Sequence, residues 1–356
     1  MKYREDKIRH RQMAGIITVI GLFLGLLYPL VAGQIQNPIA ILNGVTIGLL
    51  GGILVAAFEI FLFTSIKRRY SFTATVLLKT LAYTILFLLL IIAVMNVNES
   101  WYYNMSISEN FSSKRFQYFL SEGDFKVIVA YSLFSVLTII FTREMSRKMG
   151  QGVFLNFLFG KYHKPREEHR IFMFLDQKSS TSLAEEMTSL GYFEFLKEFY
   201  SDITICILSS GGEIYRYVGD QMVISWTVLK GIANANCIRC YFRIREEIEN
   251  QREKFVSKYG KLPEFRVSIH VGQVICGEVG TAKSQIVFHG EALYETDRIE
   301  KEGSRNNIDI LISEDLAKLV PMPVIYELHK VASIPLSDGG IPKNLFSVQE
   351  AELTSH

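Results

Sequence analysis

Two carboxylates in this chain stand where oxygen chemistry would need them. Asp176 directly follows the apolar run Ile171–Leu175, and Asp220 sits in a tight Gly219-Asp220 turn between the strand-like runs Glu213–Val218 and Met222–Trp226. A carboxylate at each of two adjacent strand ends supplies the hard oxygen ligands that Mg²⁺ takes. After Asp176 comes Lys178-Ser179-Ser180-Thr181, a small polar run that opens a helix and offers backbone N–H groups to phosphate. Each feature also has a plain structural reading, Asp176 as a helix N-cap and Asp220 as a turn residue. Cys237 and Cys240 form a C-x-x-C on a helical stretch, with Cys206 and Cys276 elsewhere. Zinc needs two further ligands at defined spacing and none is evident, so burial on a helix face is the better reading. His270, inside a strand pattern, reads as a packed or interface histidine rather than a base.

The elements that must position these residues follow from periodicity. Ile171–Leu175 reads as a buried strand and Ser182–Leu208 as a helix with apolar residues at 3–4 spacing. The hairpin Glu213–Val218 and Met222–Trp226 follows, then a helix from about Leu229 to Val256, then strands Phe265–Val271 and Gln273–Val279. Strand, helix, hairpin, helix, strand is the order of a split βαβ, an α+β ferredoxin-like (βαββαβ) core.

The first part of the chain has another character. Hydrophobic types make up 49% of the 356 residues and charged types 21%, with a mean hydropathy of +0.20. Disorder, a collagen-like fibre and a small disulfide scaffold are excluded. A net charge of +2 gives no nucleic-acid footprint. Ala14–Gly33 is a twenty-residue stretch without a charge, which spans roughly 30 Å as a helix, the thickness of a bilayer core. Ile39–Thr64, with Glu59, Ala74–Met95, with Lys79, and Phe125–Thr142, with Lys126 at its edge, are similar runs. A four-helix transmembrane domain is therefore expected over residues 1–142.

Lys2, Arg4, Lys7, Arg9 and Arg11, then Lys67, Arg68 and Arg69, then Arg143, Arg147 and Lys148 all fall on one side of the four runs. By the positive-inside rule both termini face the cytoplasm, in a multi-pass protein of the inner (plasma) membrane. Glu59 and Lys79 read as a pair across adjacent helices, or as side chains that snorkel to the cytoplasmic edge; an ion or ligand path is the alternative. A channel with a regulatory tail is disfavoured, because the runs lack a polar stripe. Residues 143–165 read as a helical connector, 166–350 as a catalytic domain and 351–356 as a tail.

Phe174-Leu175-Asp176 with Ser180-Thr181-Ser182-Leu183-Ala184-Glu185, then Tyr217-Val218-Gly219-Asp220, then Ser268-Ile269-His270-Val271-Gly272-Gln273-Val274, then Gly277-Glu278-Val279-Gly280, and finally Gly290 with Arg298-Ile299-Glu300 stand in order along the chain. This succession resembles the signatures of class III nucleotide cyclases, from about residue 170 to 349. The resemblance implies conversion of a nucleoside triphosphate to its 3′,5′-cyclic monophosphate and pyrophosphate. It implies two Mg²⁺ or Mn²⁺ ions per site on Asp176 and Asp220, with the backbone carbonyl of Gln177 completing one, and Arg298 stabilising charge on the phosphoryl group. It also implies a homodimer in which two copies build each site.

The chain departs from the family at the base-reading positions. A lysine and an aspartate are usual where Arg216 and Val287 stand, and an asparagine that orients the ribose is usual at Tyr294. Arg216 can only donate hydrogen bonds and Val287 can do neither. Guanylate cyclases carry an acidic residue at the position of Arg216. ATP comes first on the balance of family members, with GTP or a pyrimidine nucleotide open. A degenerate cyclase-fold domain that binds nucleotide or dimerises without turnover is the main competitor. Lys343 is the candidate for a phosphate-binding lysine near the C-terminus.

Overall fold

The computed structural model describes residues 2–61, 72–121, 125–149, 156, 160–282, 284–336 and 340–351. The Lys67–Arg69 cluster, the side chains of Glu59 and of the terminal basic groups, residues 150–155 and 157–159 of the 143–165 connector, and residues 352–356 lie outside what is described. The chain divides into two compact units, Met1–Lys148 and Met149–His356.

The first unit is helical: α1 (Lys2–Val31), α2 (Pro38–Phe61), α3 (Phe72–Tyr102), the short α4 (Ile107–Ser112) and α5 (Lys114–Ser121), and α6 (Phe125–Met149). Among the described residues, Pro38–Phe58 and Thr73–Tyr102 are long and apolar enough to cross a bilayer. A third span arises if Lys114–Ser121 and Phe125–Phe141, bent by 50°, count as one. The expectation was four. In the first run, the apolar helix delimited among the described residues is Ile17–Val31, within the continuous helix α1. Lys79 is 1% exposed, so it does not snorkel to an edge.

Helices α1 and α2 cross with their backbones in contact. A Cβ at Gly48 would lie 2.5 Å from the Gly21 carbonyl oxygen, one at Gly21 2.6 Å from that of Gly48, and one at Gly52 2.7 Å from the Thr18 Cα. Small residues at four-residue spacing permit this approach. A polar tie joins α2 to α3, where the Asn98 amide donates to Asn43 Oδ1 at 2.8 Å and to Thr46 Oγ1 at 2.9 Å.

The second unit is one mixed eight-stranded sheet with helices packed on it. Its order is β2 (Glu213–Val218), β3 (Gln221–Thr227), β1 (Arg166–Gln177), β4 (Phe265–Val279), β6 (Ile310–Ser313), β8 (Pro342–Glu350) and β7 (Tyr326–Pro335), with β5 (Gln285–His289) paired to β4. The neighbours β2, β3, β1 and β4 are antiparallel and form the βαββαβ core, while β4 and β6 run parallel.

Strand β1 is buried on both faces, which is why its sequence is continuously apolar rather than alternating. Ile171, Met173 and Leu175 point into the main core with Phe195, Phe199, Ile203, Ile244 and Ile248. Phe172 and Phe174 point the other way, to Tyr162, Val274 and Phe288. Both expected helices are divided. The first breaks into α7 (Ser180–Glu186) and α8 (Ser189–Ser209), where the Thr188 hydroxyl caps by accepting from the Gly191 N–H at 3.1 Å. The second becomes α9 (Val228–Ile232), a 3₁₀ turn at Ala233–Ala235, α10 (Asn236–Asn250) and α11 (Arg252–Tyr259). The two strands expected over 265–279 are one, β4.

Replacing Gly48 with valine puts a side chain against backbone that has no room to move. In full-length protein in micelles, the temperature at which it aggregates should fall by several degrees, since overpacking of this kind costs about 1–3 kcal/mol. Gly15→Val, at a position with nothing within 4 Å, should leave it unchanged.

Candidate active site

Adjacent strand ends carry the two aspartates. Asp176 is the penultimate residue of β1 and pairs in register with Gln221 of β3 and Arg266 of β4. Asp220 precedes Gln221 in the two-residue turn of the β2–β3 hairpin, whose first position is Gly219 at φ +63°. Glycine takes that left-handed conformation without steric cost, so the turn closes in two residues and sets Asp220 beside Asp176. The capping reading of Asp176 does not hold: it lies within the strand, and the residue before α7 is Ser179, at φ 53° with no side-chain cap.

The pair carries a charge penalty. Burial, and then the neighbouring Asp220, push the Asp176 carboxyl up to about 6, against a smaller pull from Arg266. Arg266 lies 3.8 Å from Asp176 Oδ2. The Tyr192 and Tyr200 phenols on α8 are raised mainly by burial and also by the field of both aspartates, which places them around the pair. Glu300, on α12 (Glu291–Arg305), is raised by burial and then by Asp176.

Several buried polar atoms next to this pair lack a hydrogen-bond partner among the described residues: Gln177 Oε1, the Tyr192 and Tyr200 hydroxyls, and Arg266 Nε and Nη1. Buried polar groups are normally paired, and those left over need an explanation. The two carboxylates and the Gln177 oxygen among them make an oxygen donor set of the kind hard divalent cations take, so Asp176, Asp220 and Gln177 fit Mg²⁺ or Mn²⁺.

The remaining expected residues divide by element. Gln177 ends β1 and is buried. Ser179, Ser180 and Thr181 follow it at the start of α7, but the Lys178 ammonium is engaged by Asp309, so it is not turned to this run. Arg216 lies on the exposed end of β2, just past a bulge at Tyr215, with its guanidinium 5.2 Å from that ring. Val287 lies on β5, opposite Gly277. Tyr294 and Arg298, four apart on α12, share a helix face; Tyr294 is 65% exposed, and Arg298 donates to the Pro335 carbonyl at 3.3 Å. Lys343 is paired with Asp315 at 2.6 Å. Cys237 and Cys240 are buried, as expected of a helix face.

Helix α12 is fixed to the sheet by His270. Its Nε2 lies 2.7 Å from Glu295 Oε2 and its Nδ1 2.8 Å from Ser313 Oγ, and the ring is 1% exposed. With Nε2–H donated to the carboxylate and the Ser313 hydroxyl donating to Nδ1, both ring nitrogens are satisfied. The sequence reading missed Arg266, Tyr192, Tyr200 and Glu295. Arg266 was open to detection as the register partner of Asp176 on β4; the others depend on how helices face the sheet.

Residues 162–339 match the family model described as the adenylate and guanylate cyclase catalytic domain, half of the chain. An adenylate cyclase 2 of Rhizobium meliloti (strain 1021) is 36% identical over 197 residues, covering 55% of this chain and 54% of that protein. An adenylate cyclase of Anabaena cylindrica is 26% identical over 165 residues, covering 45% and 32%. The chain thus spans about half the length, or less, of the curated relatives it matches. The structure of a bacterial light-regulated adenylyl cyclase shares the fold, with a TM-score of 0.54 and 19% identity over 66% of this chain and 69% of that one.

Because the folded-state carboxyl of Asp176 is raised from 3.8 to about 6, its ionisation opposes folding. The penalty is absent below the unfolded value, grows as pH rises, and is complete above about 6. Asp176→Asn should therefore stabilise metal-free protein at pH 8 by ~1–3 kcal/mol, and the gain should vanish as pH falls toward 4. The buried Trp226 reports unfolding of this unit by fluorescence. Added Mn²⁺ should raise the midpoint of the wild type but not of the variant.

Glu295 behaves oppositely, since the hydrogen bond from His270 lowers its carboxyl. Its contribution is present above the ordinary carboxylate value and lost as pH falls through the lowered one. Glu295→Gln should destabilise by about 1.5–3 kcal/mol at pH 7, and the difference should close in acid.

Proposed function

Given that the chain belongs to the adenylate and guanylate cyclase catalytic domain family, the class III nucleotide cyclases, we propose that it closes a nucleoside triphosphate to its 3′,5′-cyclic monophosphate. The ribose 3′-oxygen attacks the α-phosphorus, its proton leaves, and the bond to pyrophosphate breaks. The observation that carries this reading is the Asp176–Asp220 pair, two carboxylates at adjacent strand ends, with the Asp176 carboxyl raised by burial and then by Asp220.

Asp176 and Asp220, with the backbone carbonyl of Gln177, would hold two Mg²⁺ or Mn²⁺ ions. Bound there, the ions would acidify the 3′-hydroxyl and neutralise the phosphates. Ser179, Ser180 and Thr181 offer backbone donors to the triphosphate. Arg298 stabilises charge that develops on the transferring phosphoryl group, and Tyr294 orients the ribose from the same helix face. Exposure of Tyr294 supports a homodimer, in which the aspartates of one copy meet Tyr294, Arg298, Arg216 and Val287 of the other. ATP is the proposed substrate, because two relatives are named adenylate cyclases. Arg216 supplies only donors to the base, and adenine N1 offers it an acceptor.

The apolar helices support a membrane anchor. We read residues 1–142 as four spans with both termini and the catalytic domain (166–350) cytoplasmic, in the inner membrane, with 143–165 as connector and 351–356 as tail.

Full-length protein given ATP, GTP, CTP or UTP separately with Mn²⁺ should yield one dominant cyclic product, cyclic AMP. Asp220→Ala should abolish it, and Arg298→Ala should lower kcat about 10²–10³-fold. No product from any of the four would leave the degenerate, non-catalytic reading; turnover surviving Asp220→Ala would overturn the metal assignment.

A further inference from the structure

Among the helices of the first unit is a cavity of about 270 Å³. Its two ends differ in chemistry. Toward one lie Val55 of α2 and Phe87 of α3; toward the other lie Asn37, Asn43, Glu99 and Arg115. Antiparallel helix directions keep this order, since Asn43 precedes Val55 on α2 whereas Phe87 precedes Glu99 on α3. The space has an apolar floor and a polar head.

Glu99 is the informative group. It is 6% exposed, lines the cavity, and its Oε2 is buried without a hydrogen-bond partner among the described residues. A dehydrated carboxyl oxygen left unpaired costs more than an ordinary hydrogen bond returns. Arg115, on the same wall, carries donors only, and its guanidinium lies 4.1 Å from the Tyr103 ring centroid. A guest headgroup here must donate to one neighbour and accept from the other. A carboxylate would oppose Glu99 and an ammonium would oppose Arg115; a hydroxyl satisfies both. At roughly 30 Å³ per water-sized group the volume holds about nine such groups.

We propose that this cavity binds a small hydroxyl-bearing amphiphile, its hydroxyl set between Glu99 and Arg115 and its apolar tail running toward Val55 and Phe87. The site is independent of the catalytic reading.

The test uses full-length protein in phospholipid nanodiscs and a diazirine-bearing octanol as photolabel, with adducts located by mass spectrometry. Adducts should concentrate on cavity-lining segments of α2 and α3. Excess 1-octanol should remove them and n-octane should not. Glu99→Gln, which keeps the shape, should raise the half-saturating concentration about tenfold, and Ser132→Phe, which fills the cavity, should abolish labelling. Adducts spread evenly over the apolar helices would overturn the proposal. So would equal competition by n-octane, which would mean an apolar gap that any lipid tail fills. The competition in wild-type protein decides the matter even if a variant fails to fold.

Discussion

The repulsion between Asp176 and Asp220 is the constraint around which the catalytic unit is built. Two carboxylates stand at adjacent strand ends, and ionisation of Asp176, whose carboxyl is pushed up to about 6 by burial and its neighbour, opposes folding at neutral pH. Such a site persists only where the surroundings over-determine it. Here they do. Apolar packing on both faces of β1 fixes Asp176, and a two-residue turn fixes Asp220.

Elsewhere in the unit, buried polar groups tie strands and helices together. Near the other end of β1, Arg170 is 2% exposed and bonds Glu168 at 2.9 Å, Glu213 at 2.6 Å and Ser225 Oγ at 3.0 Å. His270 is held between Glu295 and Ser313. These networks join β1 to β2 and β3, and α12 to the sheet. They are good geometry at places where no chemistry is asked of them. Around the aspartates several buried polar atoms have no hydrogen-bond partner among the described residues, as is also true of Arg170 Nε, Glu198 Oε2 and the Tyr259 hydroxyl.

What was legible in the sequence was local. A β-run ending in aspartate and a glycine-aspartate turn are read from a few neighbouring residues, and both lie where expected. The breaks in the two helices were harder. Thr188 is a good N-cap, but the apolar spacing runs through it, and only packing decides that a new helix begins there. Lys178 shows the opposite failure: its place after Asp176 suggested phosphate, yet its partner is Asp309, 131 positions along the chain. Arg266 reaches Asp176 through strand register. Tyr192 and Tyr200 reach it through helix facing, which no window of sequence reports.

The contact between α1 and α2 has a practical corollary. Where Gly21 and Gly48 face each other's carbonyls, the two helices meet backbone to backbone, so cohesion there comes from dispersion and Cα–H···O contacts. Neither draws on the expulsion of water. An interface of this kind keeps its strength when one hydrocarbon-like solvent is exchanged for another. The first two helices should thus survive extraction into detergent as a preassembled hairpin, and loosening of the helical unit on solubilisation should begin at α3 and α6.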